Sequence, residues 1–187
     1  AGIQQTGAAV PLMVDTLLKI LPSAADAVCR FEGGEEKAFD ENGENALFVF
    51  KTIADPFVGK LSYFRVLSGK IKNDSRLINN RTGAEERLSK IMWLKGGKQE
   101  DAGEIIAGDI GSVSKLGNVL TGDTLSASGK LAAAAVEFPA PTISVAVYPK
   151  AKGDEEKITQ AFSRLCEEDP TIKVYTDNET HEQILSA

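Results

Sequence analysis

Residues 46–53 form an apolar run rich in Phe and Val, too short for a settled helix, and so predict a buried β-strand. Asp55-Pro56 breaks the run, because proline lacks an amide hydrogen and pushes the residue before it out of helical geometry. A second strand is expected over residues 58–67, ending at the Ser68-Gly69 turn signal. Its alternation slips: Leu61 and Tyr63 share one phase, Phe64 and Val66 the other. A strand that changes phase part-way predicts a bulge or tight coiling, which small closed barrels require.

Strand and turn signals recur at short intervals up to residue 125. A short strand is expected at 76–79 after the Asn73-Asp74 turn, and a longer one over 86–94 between the Thr82-Gly83 break and the Gly96-Gly97 turn. Ile105-Ile106 and residues 109–116 follow, and Thr121-Gly122-Asp123 closes the segment. Short strands joined by glycine-rich turns, without a helical period, predict an antiparallel barrel and not an α/β unit.

The flanks differ. Within residues 1–21, Pro11 suits a first helical turn, and Leu12, Val14, Leu17, Leu18 and Leu21 supply an apolar face. Residues 24–45 are acidic and glycine-rich and read as a linker. Residues 126–141 read as a second, prolyl junction. Beyond it, 143–148 alternates as a strand and 154–168 reads as a helix that Asp154 can cap. Ile158, Ala161, Phe162, Leu165 and Cys166 would line one face of that helix. Strands are expected at 172–175 and from 183 to 186.

Composition narrows the function classes. The 187 residues have ordinary soluble content and suffice for one mid-sized domain or two small ones. No apolar run approaches the roughly 20 residues needed to span a bilayer, and no signal peptide opens the chain. Cys29 and Cys166, far apart, make neither a disulfide framework nor a metal site, which points to a reduced, cytoplasmic setting. Charge is uneven: residues 46–125 hold 12 Lys/Arg against 9 Asp/Glu, while both flanks are acidic. One basic segment in an acidic protein suits contact with a nucleic-acid backbone, although on charge alone a solvated barrel surface is the simpler account.

Several chemistries are excluded. Gly97-Lys98 is followed by Gln99 and lacks the preceding glycine of a phosphate-binding P-loop. Asp109 and Asp123 sit beside glycines, where Asp stabilises turns. Trp93 could stack on a base, but a lone Trp in an apolar strand more often packs at a core or edge. Cys166 has no basic neighbour to make it a thiolate, and His181 has no metal partners.

The string DPFVGKLSYFRVLSG at 55–69 resembles the opening of the second domain of elongation factor G, the bacterial translocation GTPase. The resemblance continues through GAEER at 83–87 with Ile91, AGDI at 107–110 and TGDTL at 121–125. FPAPTISVAVYPKAKGDEEKITQAFSRLCEEDPTIKV, at 138–174, is similar to the start of its third domain. The resemblance implies a mainly β chain: a translation-factor-type antiparallel β-barrel followed by an incomplete ferredoxin-like α+β domain. It divides the chain into 1–23, the last helix of a GTP-binding domain; 24–45, an acidic linker; 46–125, the barrel; 126–141, a linker; and 142–187, a truncated third domain. It further implies a non-catalytic fragment of a ribosomal translocase. The barrel would dock on an upstream GTP-binding domain and on small-subunit ribosomal RNA and protein near the decoding site. The third domain would relay the nucleotide state. GTP and Mg would belong to the full-length parent, with no cofactor in this stretch and neither membrane nor DNA as partner. From charge and position, Lys72, Arg76, Arg81, Arg87 and Lys98 are the RNA-facing candidates. A ribosome-protecting paralogue shares the same architecture, and a generic β-barrel interaction module is the remaining alternative.

Overall fold

The computed structural model describes residues 7, 9–55, 59–151 and 153–187. Pro56 of the expected break and Val58, the first residue of the expected second strand, lie outside the described residues. So does the stretch at 1–6.

Helix α1, Val10–Ile20, starts with Pro11 in its first turn, where the missing amide hydrogen costs nothing. None of its residues is buried: Leu12, Val14, Leu17 and Leu18 all face solvent. Strands β1, Val28–Arg30, and β2, Glu36–Ala38, then pair as a hairpin.

The centre of the molecule is a curled antiparallel sheet in the form of a half-barrel. Its strands are β3 (Ala46–Asp55), β4 (Gly59–Ser68), β6 (Ser75–Asn79), β7 (Glu85–Leu88), β8 (Ile91–Lys95), β9 (Lys98–Asp101), β11 (Ile110–Ser114) and β12 (Thr124–Ser126). They lie in the order β7-β6-β12-β3-β4-β11-β8-β9. A small ladder of β5 (Lys70–Lys72) with β10 (Glu104–Ile106) extends from it. The chain is therefore mainly β, with the antiparallel barrel architecture expected.

The two long strands behave as their sequence predicts, with one displacement. The slip expected between Tyr63 and Phe64 sits in β3 instead, and β4 has its own irregularity at Leu67, between the Leu47–Val66 and Ala46–Ser68 pairs. Val49 opposes Phe64 and Lys51 opposes Tyr63, so Phe50 is the extra residue of a bulge. The ring of Phe50 lies half-exposed beside Tyr63, 6.4 Å between centroids. The bulge lets β3 bend, and the sheet curls around one cluster. That cluster holds Leu47, Val49, Phe64, Val66, Ile71, Leu77, Leu88, Ile91, Ile105, Val113, Leu116, Val119 and Leu125.

Two local expectations differ from the structure. The single strand expected at 86–94 is two strands, β7 and β8, because the chain turns at Ser89-Lys90 to join opposite margins of the sheet. Residues 24–45, read as a linker, carry the β1–β2 hairpin. Cys29 and Phe31 there pack with Ala46 and Leu67, flanked by Phe39, Phe48, Leu131 and Ala133. This second cluster covers the outer face of β3 and β4 at one end. The residues that follow the sheet join it: Glu32 N–H donates to Ala132 O and Ala134 N–H to Arg30 O, each at 2.9 Å.

The last part is a three-stranded antiparallel sheet with one helix. Strands β13 (Ser144–Val147), β14 (Lys173–Thr176) and β15 (Gln183–Ser186) run in the order β13-β15-β14, so the last strand is central. Helix α2, Glu155–Glu168, buries Phe162, while Ile158 and Cys166 are half-buried and Leu165 is exposed. Asp154 precedes α2 without a side-chain cap; its carboxylate takes Lys157 at 2.8 Å instead.

Gly69 shows how tightly this fold is specified. Its φ is +73°, and a Cβ would come within 2.2 Å of Asn45 Oδ1 and 2.8 Å of Asn45 Cα. Gly59 has a similar φ, +79°, with open space around it. Urea denaturation should show Gly59→Ala costing about 1 kcal/mol, from backbone strain alone. Gly69→Ala should cost about 2–4 kcal/mol, because overpacking adds to the strain.

Candidate nucleic-acid interface

The five sequence candidates do not form one patch. Lys72, Arg76 and Arg87 lie at one end of the sheet. Lys72 ends β5, and Arg76 on β6 sits directly opposite Arg87 on β7. Like charges facing each other across a ladder repel, and each is offset by a neighbouring carboxylate. Arg76 Nη1 meets Glu85 Oε1 at 2.8 Å, Arg87 Nη2 meets Asp74 Oδ1 at 2.7 Å, and Lys72 Nζ meets Glu104 Oε2 at 3.1 Å. All six side chains are exposed, so these pairs contribute about 0–1 kcal/mol each and can exchange partners readily.

Arg81 is different in kind. It follows β6, and its guanidinium clasps Asp123 with two hydrogen bonds, Nε to Oδ1 at 2.7 Å and Nη2 to Oδ2 at 2.9 Å. Asp123 is buried, at 5% exposure, and also accepts from Asn79 Nδ2 at 2.7 Å and from the Leu120 amide at 2.9 Å. Burial pushes the Asp123 carboxyl up. The hydrogen bonds from Arg81, Leu120 and Asn79 outweigh that and hold it below the usual carboxylate range. The turn role expected of Asp123 is present in the Leu120 bond, but the same carboxylate also ties the 79–82 turn to the 118–123 loop. Arg81 thus stands in the framework of the barrel, although its outer half reaches solvent.

Lys98 opens β9 on the β8–β9 hairpin, opposite Lys95. Lys95 pairs with Glu100 at 2.6 Å, whereas Lys98 has no carboxylate within 4 Å among the described residues. Lys51 and Lys115 share that property among the described residues, and both are exposed. Their availability was invisible in the sequence, because pairing is decided by cross-strand neighbours and not by composition. Beside the hairpin, Tyr63, Trp93, Leu94 and Ile110 line an open cleft of about 530 Å³ with Lys95 and Asp109 at its margin. Trp93 is 37% exposed, so it is a margin residue and not part of the core.

Among the described residues no helix is long and apolar enough to cross a membrane.

Comparison with known proteins adds the following. Residues 44–128 match the family model described as elongation factor G domain 2, and residues 138–187 match elongation factor G, domain III. A crystal structure of a Thermus thermophilus protein superposes with a TM-score of 0.75 at 26% sequence identity. The match covers 96% of this chain and 26% of that one, so the chain spans about a quarter of that protein's length.

The Arg81–Asp123 clasp yields a stability prediction. Arg81→Ala leaves a buried carboxylate short of its main partner and should lower unfolding free energy by about 1–3 kcal/mol, discounted for the exposed half of Arg81. A carboxyl held below its unfolded value contributes stability that is present above about pH 4 and is lost as pH falls through the folded value. In urea titrations Asp123→Asn should therefore show a smaller loss of stability below about pH 4 than the parent chain.

Proposed function

Since the chain belongs to the elongation factor G family, we propose that it is the non-catalytic part of a ribosomal translocation GTPase. The observation that carries this reading is the order of two family domains, domain 2 over 44–128 and domain III over 138–187, on the matching folds. In this reading the barrel rests on a GTP-binding domain and on small-subunit ribosomal RNA, and the α+β unit passes the nucleotide state onward. The whole protein works in the cytoplasm during tRNA and mRNA movement. GTP and Mg are held by residues other than these 187, and residues 1–23 are the end of the GTP-binding domain. Helix α1 supports the last point. It presents Met13, Val14, Leu17 and Leu18 to solvent, one apolar stripe suited to burial against another domain.

For the RNA contact, Lys72, Arg76, Arg87 and Lys98 carry the proposal on unequal terms. Lys98 is free to meet a phosphate directly. The other three must first exchange an exposed carboxylate, which costs little. Arg81 can touch RNA only with the half of its side chain that the Asp123 clasp leaves outside.

Two measurements test this reading. Calorimetric titration of the chain with Mg–GTP should give no binding heat, and micromolar binding would contradict the assignment of the nucleotide to other residues. Sedimentation with small ribosomal subunits should show weak, salt-sensitive binding. The triple substitution Arg76→Glu, Arg87→Glu, Lys98→Glu should reduce it several-fold at low salt. Undiminished binding of the triple variant at low salt would leave these cations as an ordinary solvated surface.

A further inference from the structure

Glu167 and Glu168 occupy the last turn of α2, and no basic residue accompanies them there. The C-terminal end of a helix carries a partial negative charge, so two adjacent carboxylates in that turn are opposed by the helix itself. Their position is favourable only if partners from outside the helix offset the repulsion. Both have such partners, and both partners lie on the β3–β4 hairpin. Glu168 Oε1 accepts the Ala54 amide at 2.6 Å, and Glu167 Oε2 meets Lys60 Nζ at 3.4 Å.

The hairpin is built to offer these two groups together. Ala54 and Lys60 are directly opposite each other in the β3–β4 ladder. Strand β12 covers β3 only over Ala46, Leu47 and Phe48, so the distal half of β3 has an open edge. The Ala54 amide on that edge would otherwise face solvent or an added strand, and the Glu168 carboxylate caps it. Lys60 is held as well: its side chain is only 16% exposed, and its carbonyl accepts the Lys115 amide at 3.0 Å.

We propose that the α2 C-terminal turn and the distal β3–β4 hairpin form an electrostatic latch. It fixes the α+β unit against the barrel when closed and frees the unit to swing when opened. The latch is small and polar. It uses one charge-assisted hydrogen bond and one ion pair, and the Glu167 side chain stays 44% exposed, so these polar contacts favour the closed state only modestly. That balance suits a joint that changes state during a working cycle and does not suit a permanent interface. The geometry stands independently of the ribosomal reading.

The test uses the 187-residue chain in low salt. Glu167→Lys should speed hydrogen exchange at the Ala54 amide by about tenfold or more and raise the radius of gyration in X-ray scattering. Exchange at Val49 and Phe64, in the barrel core, should stay unchanged. Raising ionic strength to about 1 M, where the screening length is about 3 Å, should move the parent chain in the same direction. The charge-swapped pair Lys60→Glu with Glu167→Lys should restore both the protection and the compact profile. An unchanged Ala54 amide and an unchanged profile in Glu167→Lys would overturn the latch. A swapped pair that stays as open as the single variant, or loss of Val49 and Phe64 protection along with Ala54, would also overturn it.

Discussion

Everything in this molecule is hung on the pairing of β3 with β4. The ladder runs from Ala46 opposite Ser68 to Asp55 opposite Gly59, longer than any other in the structure, and it lies in the middle of the sheet order. Its inward residues, Leu47, Val49, Phe64 and Val66, are fully buried and found the main core. Its outward residues, Ala46 and Leu67, found the second core under the β1–β2 hairpin. One pair of strands is therefore buried on both faces at one end, while towards the other Lys51, Ala54 and Gly59 are exposed although Thr52, Leu61 and Ser62 remain buried. The bulge at Phe50 separates the two regimes, and beyond it the hairpin projects far enough to meet α2.

The charged groups sort by burial more than by sign. Most ion pairs here are exposed on both sides and hold their partners loosely, whereas the Asp123 clasp buries its carboxylate and joins turns 42 residues apart in sequence. Arginines that look equivalent in a basic segment thus have different physical roles. A phosphate backbone can recruit the former at little cost, while Arg81 is committed to the fold. This separates attraction for a polyanion from stability of the barrel, so the surface can be altered without loss of the scaffold.

Much of the architecture was legible because it depends on local pattern. The apolar run at 46–53, the glycine turns and the apolar spacing in α2 each act within a few residues, and each appears near its expected place. What stayed hidden depends on contacts made across the fold. The acidic stretch at 24–45 has the composition of a linker, and only the presence of Leu67 and Leu131 beneath Cys29 and Phe31 makes it a hairpin. The turn at Ser89-Lys90 carries no glycine or proline, so nothing in the string marks the division of β7 from β8. Among the candidate site residues, positive charge was readable but partnership was not. Lys98 and Arg81 look alike in sequence, and only Arg81 is bound to a buried acid.

The bonds that join residues 30–32 to residues 132–134 give the barrel a drawn neck. Phe31 bridges Ala133 in antiparallel sense, so the chain leading back to α1 and the chain leading on to the α+β unit depart from the same end of that seam. A pull between those two parts opens the seam as a zip opens, loading its hydrogen bonds one after another. Once the contacts of α2 with the distal β3–β4 hairpin have parted, the long ladder stays outside that line of force. Mechanically the barrel is then a loop tied at its base. Tension between its neighbours is borne by the few bonds of the tie, and the loop keeps its shape while they yield.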